Sequence, residues 1–255
     1  MSDPKNGSPE LPDIDVRERA GHHTGDPRHL DTRLFMQLLV FNVDPDMAPR
    51  EAADELASAM RKRSQPAVIY ADVNNPRGIG LLTWTEDPAD FVTKVGEGVA
   101  SEGLEDLELL PEYTMLGRSY ATGYEPDLEF WLLRRPADTA LNAEWPWAVW
   151  YPLRRSGAFA QLEGREQASI LKEHGTIGRA YGQKDLAHDI RLACHGLDPN
   201  DNEFVIGLVG KDLHPLSHIV QRMRSTRQTS EFIEQMGPFF VGHAITRVRP
   251  TPHSA

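Results

Sequence analysis

The chain has 255 residues, of which 40% are hydrophobic and 25% charged, so it is long enough to bury a substantial core; a small peptide scaffold, a fibrous repeat and a wholly disordered chain are excluded. A formal net charge of -11 sets its overall field against nucleic-acid phosphates and anionic membrane surfaces, so neither is expected as a partner. The one cysteine, Cys194, cannot close an internal disulfide, and neither a secretory leader nor an apolar run of about 18 residues is read, so the expected location is the cytoplasm.

Residues 1–31 are rich in Pro, Gly, Asp, Ser and His and read as a flexible tail, since they hold too little apolar surface to offset the entropy of ordering. His22, His23 and His29 fall there and are expected to be solvated, because an unstructured tail offers no coordination geometry. The apolar run Leu34 to Val43 is a buried strand ending at Asp44-Pro45. Ala53, Leu56 and Met60 then recur at helical spacing between Pro49 and the basic exit Arg61 to Arg63. AVIYADV and IGLLTWT are two strands joined by the turn NNPRG. Asp87-Pro88 starts a helix carrying Phe91, Val92, Val95 and Val99, and YTMLGRSY closes the half as a strand.

The order then repeats. WAVWYPL (Trp147 to Leu153) is a strand, and Glu163 to His174 is a helix with Ala168, Ile170 and Leu171 inward and Gly175 as its cap. DIRLACH and FVIGLV are strands around the turn GLDPNDNE. Asp212 precedes a helix with Pro215 in its first turn and Leu216, Ile219, Val220 and Met223 inward, and PFFVGHAI is the last strand. Each half thus reads βαββαβ, which predicts an α+β protein: two tandem ferredoxin-like halves, residues 32–137 and 138–249, packed as a dimeric α+β barrel. A cofactor fits best between a sheet and its helices.

Five segments of the second half, WAVWYPLRR, EHGTIGRAY, CHGLDPNDNEFVIGL, IVQRMRST and GPFFVG, resemble in that order the chlorite dismutase and coproheme decarboxylase family; the first half matches mainly in strand order and in PRGIGLLTW. From the residues alone, His174 reads either as a satisfied core or helix-end histidine or as a ligand. The resemblance implies the ligand: His174 would bind the iron of haem b or coproheme, and the second half would hold the cofactor. It also implies that Tyr151, on the strand face of Trp147 and Val149, relays an electron and a proton during conversion of a propionate to a vinyl group. Arg155, and less directly Arg135 or Arg134, would hold propionates. The reading left beside this makes Tyr151 core and the arginines surface charges.

Three departures qualify the resemblance. The position of the family's distal arginine is Asp189, with Arg191 on the same strand face and His188 on the opposite one; a carboxylate there would repel chlorite, so chlorite dismutation is disfavoured. Where family members carry an acid beside the axial imidazole, this chain has Arg227 and Gln228, with Glu231 as the candidate substitute. The usual aromatic cluster shrinks to Phe159. DPNDNE lacks EF-hand spacing and reads as a hairpin turn, and no nucleophile elbow or dinucleotide loop is found. The expected activity is therefore a peroxide-dependent haem oxidoreductase, with coproheme decarboxylation leading, assembled as a homopentamer. The alternative is a haem carrier, a sensor or a haem-free scaffold.

Overall fold

The computed structural model describes residues 11–21 and 28–250. Among these, eight antiparallel strands form the frame: β1 (Phe35–Val43), β2 (Ala67–Asp72), β3 (Gly78–Thr85), β4 (Met115–Arg118), β5 (Trp147–Arg155), β6 (His188–Ala193), β7 (Phe204–Gly210) and β8 (Phe240–Val248). Helix α1 (Pro49–Lys62) follows β1, and α2, a π-helical turn Phe91–Gly96 running into Glu97–Val99, follows β3. The corresponding helices of the second half are α4 (Gly164–Gln183) and α5 (Leu213–Arg224). Between the halves lies α3, a π-helical turn Phe130–Arg134 running into Arg135–Leu141, an element with no counterpart in the βαββαβ pattern.

Strands run β4-β1-β3-β2 in the first half and β8-β5-β7-β6 in the second, the same order twice. β2 pairs with β8 from Ala67↔Val248 to Asp72↔Gly242, and β4 meets β6 at Arg118↔Ala193, so the two sheets close into one barrel and leave no long open edge. The α+β expectation of two ferredoxin-like halves is met.

Strand alternation then divides the core. Met36, Leu38, Leu82, Trp150, Leu192 and Phe240 fill the barrel interior. Two of these rings fit only because glycine faces them: a Cβ at Gly80 would lie 2.4 Å from Phe240 Cζ, and one at Gly207 would lie 2.5 Å from Trp150. On the outer face of the first half, α1 seats six buried residues, four of them alanines, directly on Phe41, Ile69, Ile79 and Leu81. The second half is roofed differently. Of the twenty residues of α4 only Ile170 is buried, and Ile177, Tyr181, Phe204, Ile206, Met223 and Phe239 are half-buried around Val149, Tyr151, Leu153 and Leu208. A helix that covers a sheet without seating its side chains in it leaves a slot.

Three expectations are corrected. α4 does not stop at Gly175: Ile177, Ala180 and Tyr181 continue the helix to Gln183, and Asp185 (φ 55°) is the left-handed residue just beyond it. The position 137/138, where the halves were expected to meet, lies inside α3. Part of the expected tail is folded: Glu18–Arg19 pairs with His29–Leu30, Glu18 accepts hydrogen bonds from Arg33, Arg118 and the Ala121 amide, and Ala20 packs on Leu128 and Leu132. His29 lies 3.9 Å from Asp15, while His22 and His23 fall outside the described residues. No helix among the described residues is long and apolar enough to cross a membrane.

Candidate functional site

The slot between α4 and the outer face of β5, β6 and β7 collects the residues singled out in the sequence. β5 alternates, so Ala148 and Trp150 enter the barrel while Val149, Tyr151 and Leu153 face the helices. On β6, Ile190 and Leu192 enter the barrel, which puts Asp189 and Arg191 on the slot side. His188 faces the other way as expected, stacked 3.6 Å from Trp145 and bonded to Asp185.

His174 projects from the middle of α4, half-buried, and its Nδ1 is buried with no hydrogen-bond partner. Burial first, then the nearby charge of Arg191, lower its pKa against the opposing pull of Asp189 and Glu173, so the imidazole is neutral at pH 7. These influences place Asp189 and Arg191 within electrostatic reach of the ring. Both keep substantial side-chain accessibility, 35% and 41%, so neither is packed shut beneath α4. α4 adds room, since a Cβ at Gly175 would meet nothing within 4 Å and one at Gly178 only Met223 at 3.8 Å.

Asp189 does not stand alone on this wall. Arg135 donates to its carbonyl at 2.9 Å and to Oδ1 at 2.8 Å, and Arg191 Nε lies 2.8 Å from Oδ2. Burial pushes the carboxyl up, but the two guanidiniums outweigh it and hold its pKa below the usual range. Asp189 is therefore a paired carboxylate, compensated by two guanidiniums, rather than an isolated negative charge.

Tyr151 is buried and stacked on Phe239 with ring centroids 4.7 Å apart. Burial raises its pKa, Asp189 raises it further and Arg224 opposes, so the phenol is held protonated. Arg155 is committed elsewhere. Its Nε donates to Glu203 Oε2 at 2.9 Å, Nη2 bonds Oε1, and the guanidinium lies over Phe159 at 4.3 Å and Phe204 at 4.8 Å. Arg134 is a surface residue bonded to Asp127. Glu231 does not support His174; it pairs with Arg227, whose amide bonds Glu173. Gln228 is buried, and its Oε1 has no partner. Phe159 packs edge-on against Phe232 beneath Ile170.

Two residues went unnoticed in the sequence. Arg224 lines an open pocket of about 370 Å³ with Thr229, Ile233 and Met236, and its charge reaches Tyr151. Tyr120, its ring tilted against Phe204 with centroids 5.7 Å apart, has its pKa raised by burial and lies within reach of the charges of Arg191, Arg155 and Asp189. Neither carries a local signal, because each is brought to the slot by a separate element. The turn DPNDNE is organised by its own Asp198, which accepts from the Asn200 and Asn202 amides and from Asn202 Nδ2. Among the described residues no group of three or more His, Cys, Asp or Glu could hold a metal ion.

Residues 101–245 match the chlorite dismutase family. A coproheme decarboxylase of Thermus thermophilus is 34% identical over 100 residues, 38% of either chain. One of Oceanobacillus iheyensis is 27% identical over 154 residues, 57% of this chain and 60% of that one. The chain thus spans less than two thirds of the length of these curated relatives. Among solved structures, a heme-binding protein from Thermus thermophilus has a TM-score of 0.67 at 20% identity, covering 84% of this chain and 92% of its own. A chlorite dismutase mutant from Candidatus Nitrospira defluvii has a TM-score of 0.65 at 12% identity, with 85% and 93% covered. At these identities the likeness is one of fold.

Proposed function

Because the chain belongs to the chlorite dismutase family, we propose that it binds haem b or coproheme in the slot under α4, with His174 as axial ligand, and that it uses peroxide to decarboxylate coproheme propionates. The observation that carries this reading is the contrast between two helices: α1 buries six residues on its sheet, whereas α4 buries one and holds a neutral histidine over an accessible space. The residues present suit the group. The slot walls are apolar and aromatic, and a neutral imidazole is the form that ligates iron. The unpaired Nδ1 of His174 and Oε1 of Gln228 are complementary as donor and acceptor, which makes Gln228 the available support for the ring. The names of the relatives, two coproheme decarboxylases and a heme-binding protein, point the same way.

When bound, the cofactor supplies the iron at which peroxide acts as oxidant. The chain's own part is positional and protonic. Tyr151, fixed by Phe239, keeps a proton on Oη at neutral pH and can give it up together with an electron. Arg224, which has no ion pair among the described residues, is the guanidinium able to receive a propionate, and Arg155 with Glu203 braces the slot's rim. The paired charges of Arg135, Asp189 and Arg191 lie on the sheet wall facing α4 and suit a polar oxidant. We place the first half, up to α3, as scaffold and the second half, from β5 onward, as the cofactor-binding half, the assembly as a homopentamer on family resemblance, and the location as cytoplasmic.

Titration with haem and with coproheme should give a Soret band at one cofactor per chain, weakened or shifted by His174→Ala; an unchanged spectrum removes His174 from the site. With coproheme and peroxide, mass spectrometry should show loss of propionate carbon as carbon dioxide. Tyr151→Phe should cut that loss by about 100-fold or more while cofactor binding persists, because the ring is kept and the transferable proton removed. Equal turnover by wild type and variant would exclude Tyr151 as the relay. Tight binding without decarboxylation by either protein would favour a carrier or sensor, and no binding a haem-free scaffold.

A further inference from the structure

Outside the slot, the helices that roof it carry a second group of ligating side chains. His214 and His218 stand four residues apart on α5, so they share one helix face, and both are exposed, with ring centroids 6.0 Å apart. Across the helix pair, the Tyr181 hydroxyl of α4 is hydrogen-bonded to His218 Nδ1. That bond engages Nδ1 of an exposed ring and leaves Nε2 as the nitrogen available to a metal. Two imidazoles one helical turn apart can chelate a single divalent ion, with water filling the remaining positions.

From this geometry we infer that His214 and His218 form a surface site for a divalent transition-metal ion of the zinc, copper or nickel kind, with Tyr181 as the residue that positions His218. The phenol suits that role in both states. In the free protein its O–H donates to Nδ1; when Nε2 binds metal, the proton moves to Nδ1, which then donates to the phenol oxygen. The assembly joins α4 to α5, and Tyr181 lies seven residues, about two turns, beyond His174 on the same face of α4. A bound ion would therefore clip the first turns of α5 and hold His218 in the orientation that meets Tyr181 of α4, whether or not the slot holds a cofactor.

Zinc titration of the full chain by calorimetry tests this, with far-UV circular dichroism confirming the fold of each variant. The same titration on haem-loaded protein keeps His174 out of the count. His214→Ala and His218→Ala should each remove one zinc ion per chain, and Tyr181→Phe should weaken that ion's binding by about tenfold while leaving the stoichiometry intact. Zinc should raise the melting temperature of the wild type and not that of the His214→Ala/His218→Ala double variant. Unchanged zinc stoichiometry in the double variant would overturn the site, and unchanged affinity in Tyr181→Phe would overturn the positioning role.

Discussion

Asp189 gains its meaning from the two arginines around it rather than from its own charge. Its carboxyl pKa is depressed because Arg191 and Arg135 outweigh the upward push of burial. A depressed carboxyl contributes stability that is fully present above its unfolded pKa of about 3.9 and is lost as pH falls through the folded value. Asp189→Asn should therefore flatten the acid limb of the stability curve below about pH 4 and cost no more than about 1 kcal/mol at neutral pH, since both pairs are partly exposed and screened. Urea unfolding at pH 7 and pH 3 checks this, and an unchanged acid limb would mean that the carboxylate is not paired in solution. Asp189 could be placed on the correct strand face from the alternation of DIRLACH, but its neutralisation could not. Arg135 comes from 54 residues earlier in the chain, through a helix with no recognised signal.

At the scale of elements, α4 separates local propensity from tertiary context. Glycine after a histidine in a last turn is the usual mark of a helix end, yet here the helix runs eight residues further and Gly175 lies exposed inside it. The sign of one substitution decides between these arrangements. Gly175→Ala should stabilise the protein by about 0.5–1 kcal/mol, because an interior helical glycine gains from alanine and nothing lies within 4 Å of the added Cβ. Thermal unfolding is the measurement; destabilisation would indicate a left-handed glycine and a helix ending there. The extension has a functional consequence, since it carries Tyr181 to α5 and puts His174 at the middle of a rigid rod rather than at a fraying end.

For the whole molecule, closure of the barrel sets the tolerance of its interior. The rings of Phe240 and Trp150 are fully buried and occupy the space a side chain at Gly80 or Gly207 would need. Gly80→Ala should cost about 1–3 kcal/mol, seen as a lower denaturant midpoint at constant m-value, because a Cβ 2.4 Å from Phe240 forces the ring or the strand to move. The first half contributes two side chains to the slot. It completes the barrel behind β5 and β6, supplies Arg135 through α3 and brings Tyr120 beside Phe204.

The βαββαβ order of each half and the strand faces of Tyr151 and Asp189 were legible in the chain, because period-two and period-three-to-four patterns are local properties, whereas His174 was singled out by the family resemblance and not by any pattern of its own. Which charges are free became visible only in the folded molecule. Arg155 is taken by Glu203, Asp189 by Arg135 and Arg191, and Arg224 has no ion pair among the described residues, although nothing in the sequence tells these arginines apart. The same holds for the seating of the helices, where α4 stands off its sheet while α1 lies on its own. Ion pairing and helix seating depend on residues brought together from distant positions, and no local pattern encodes those distances.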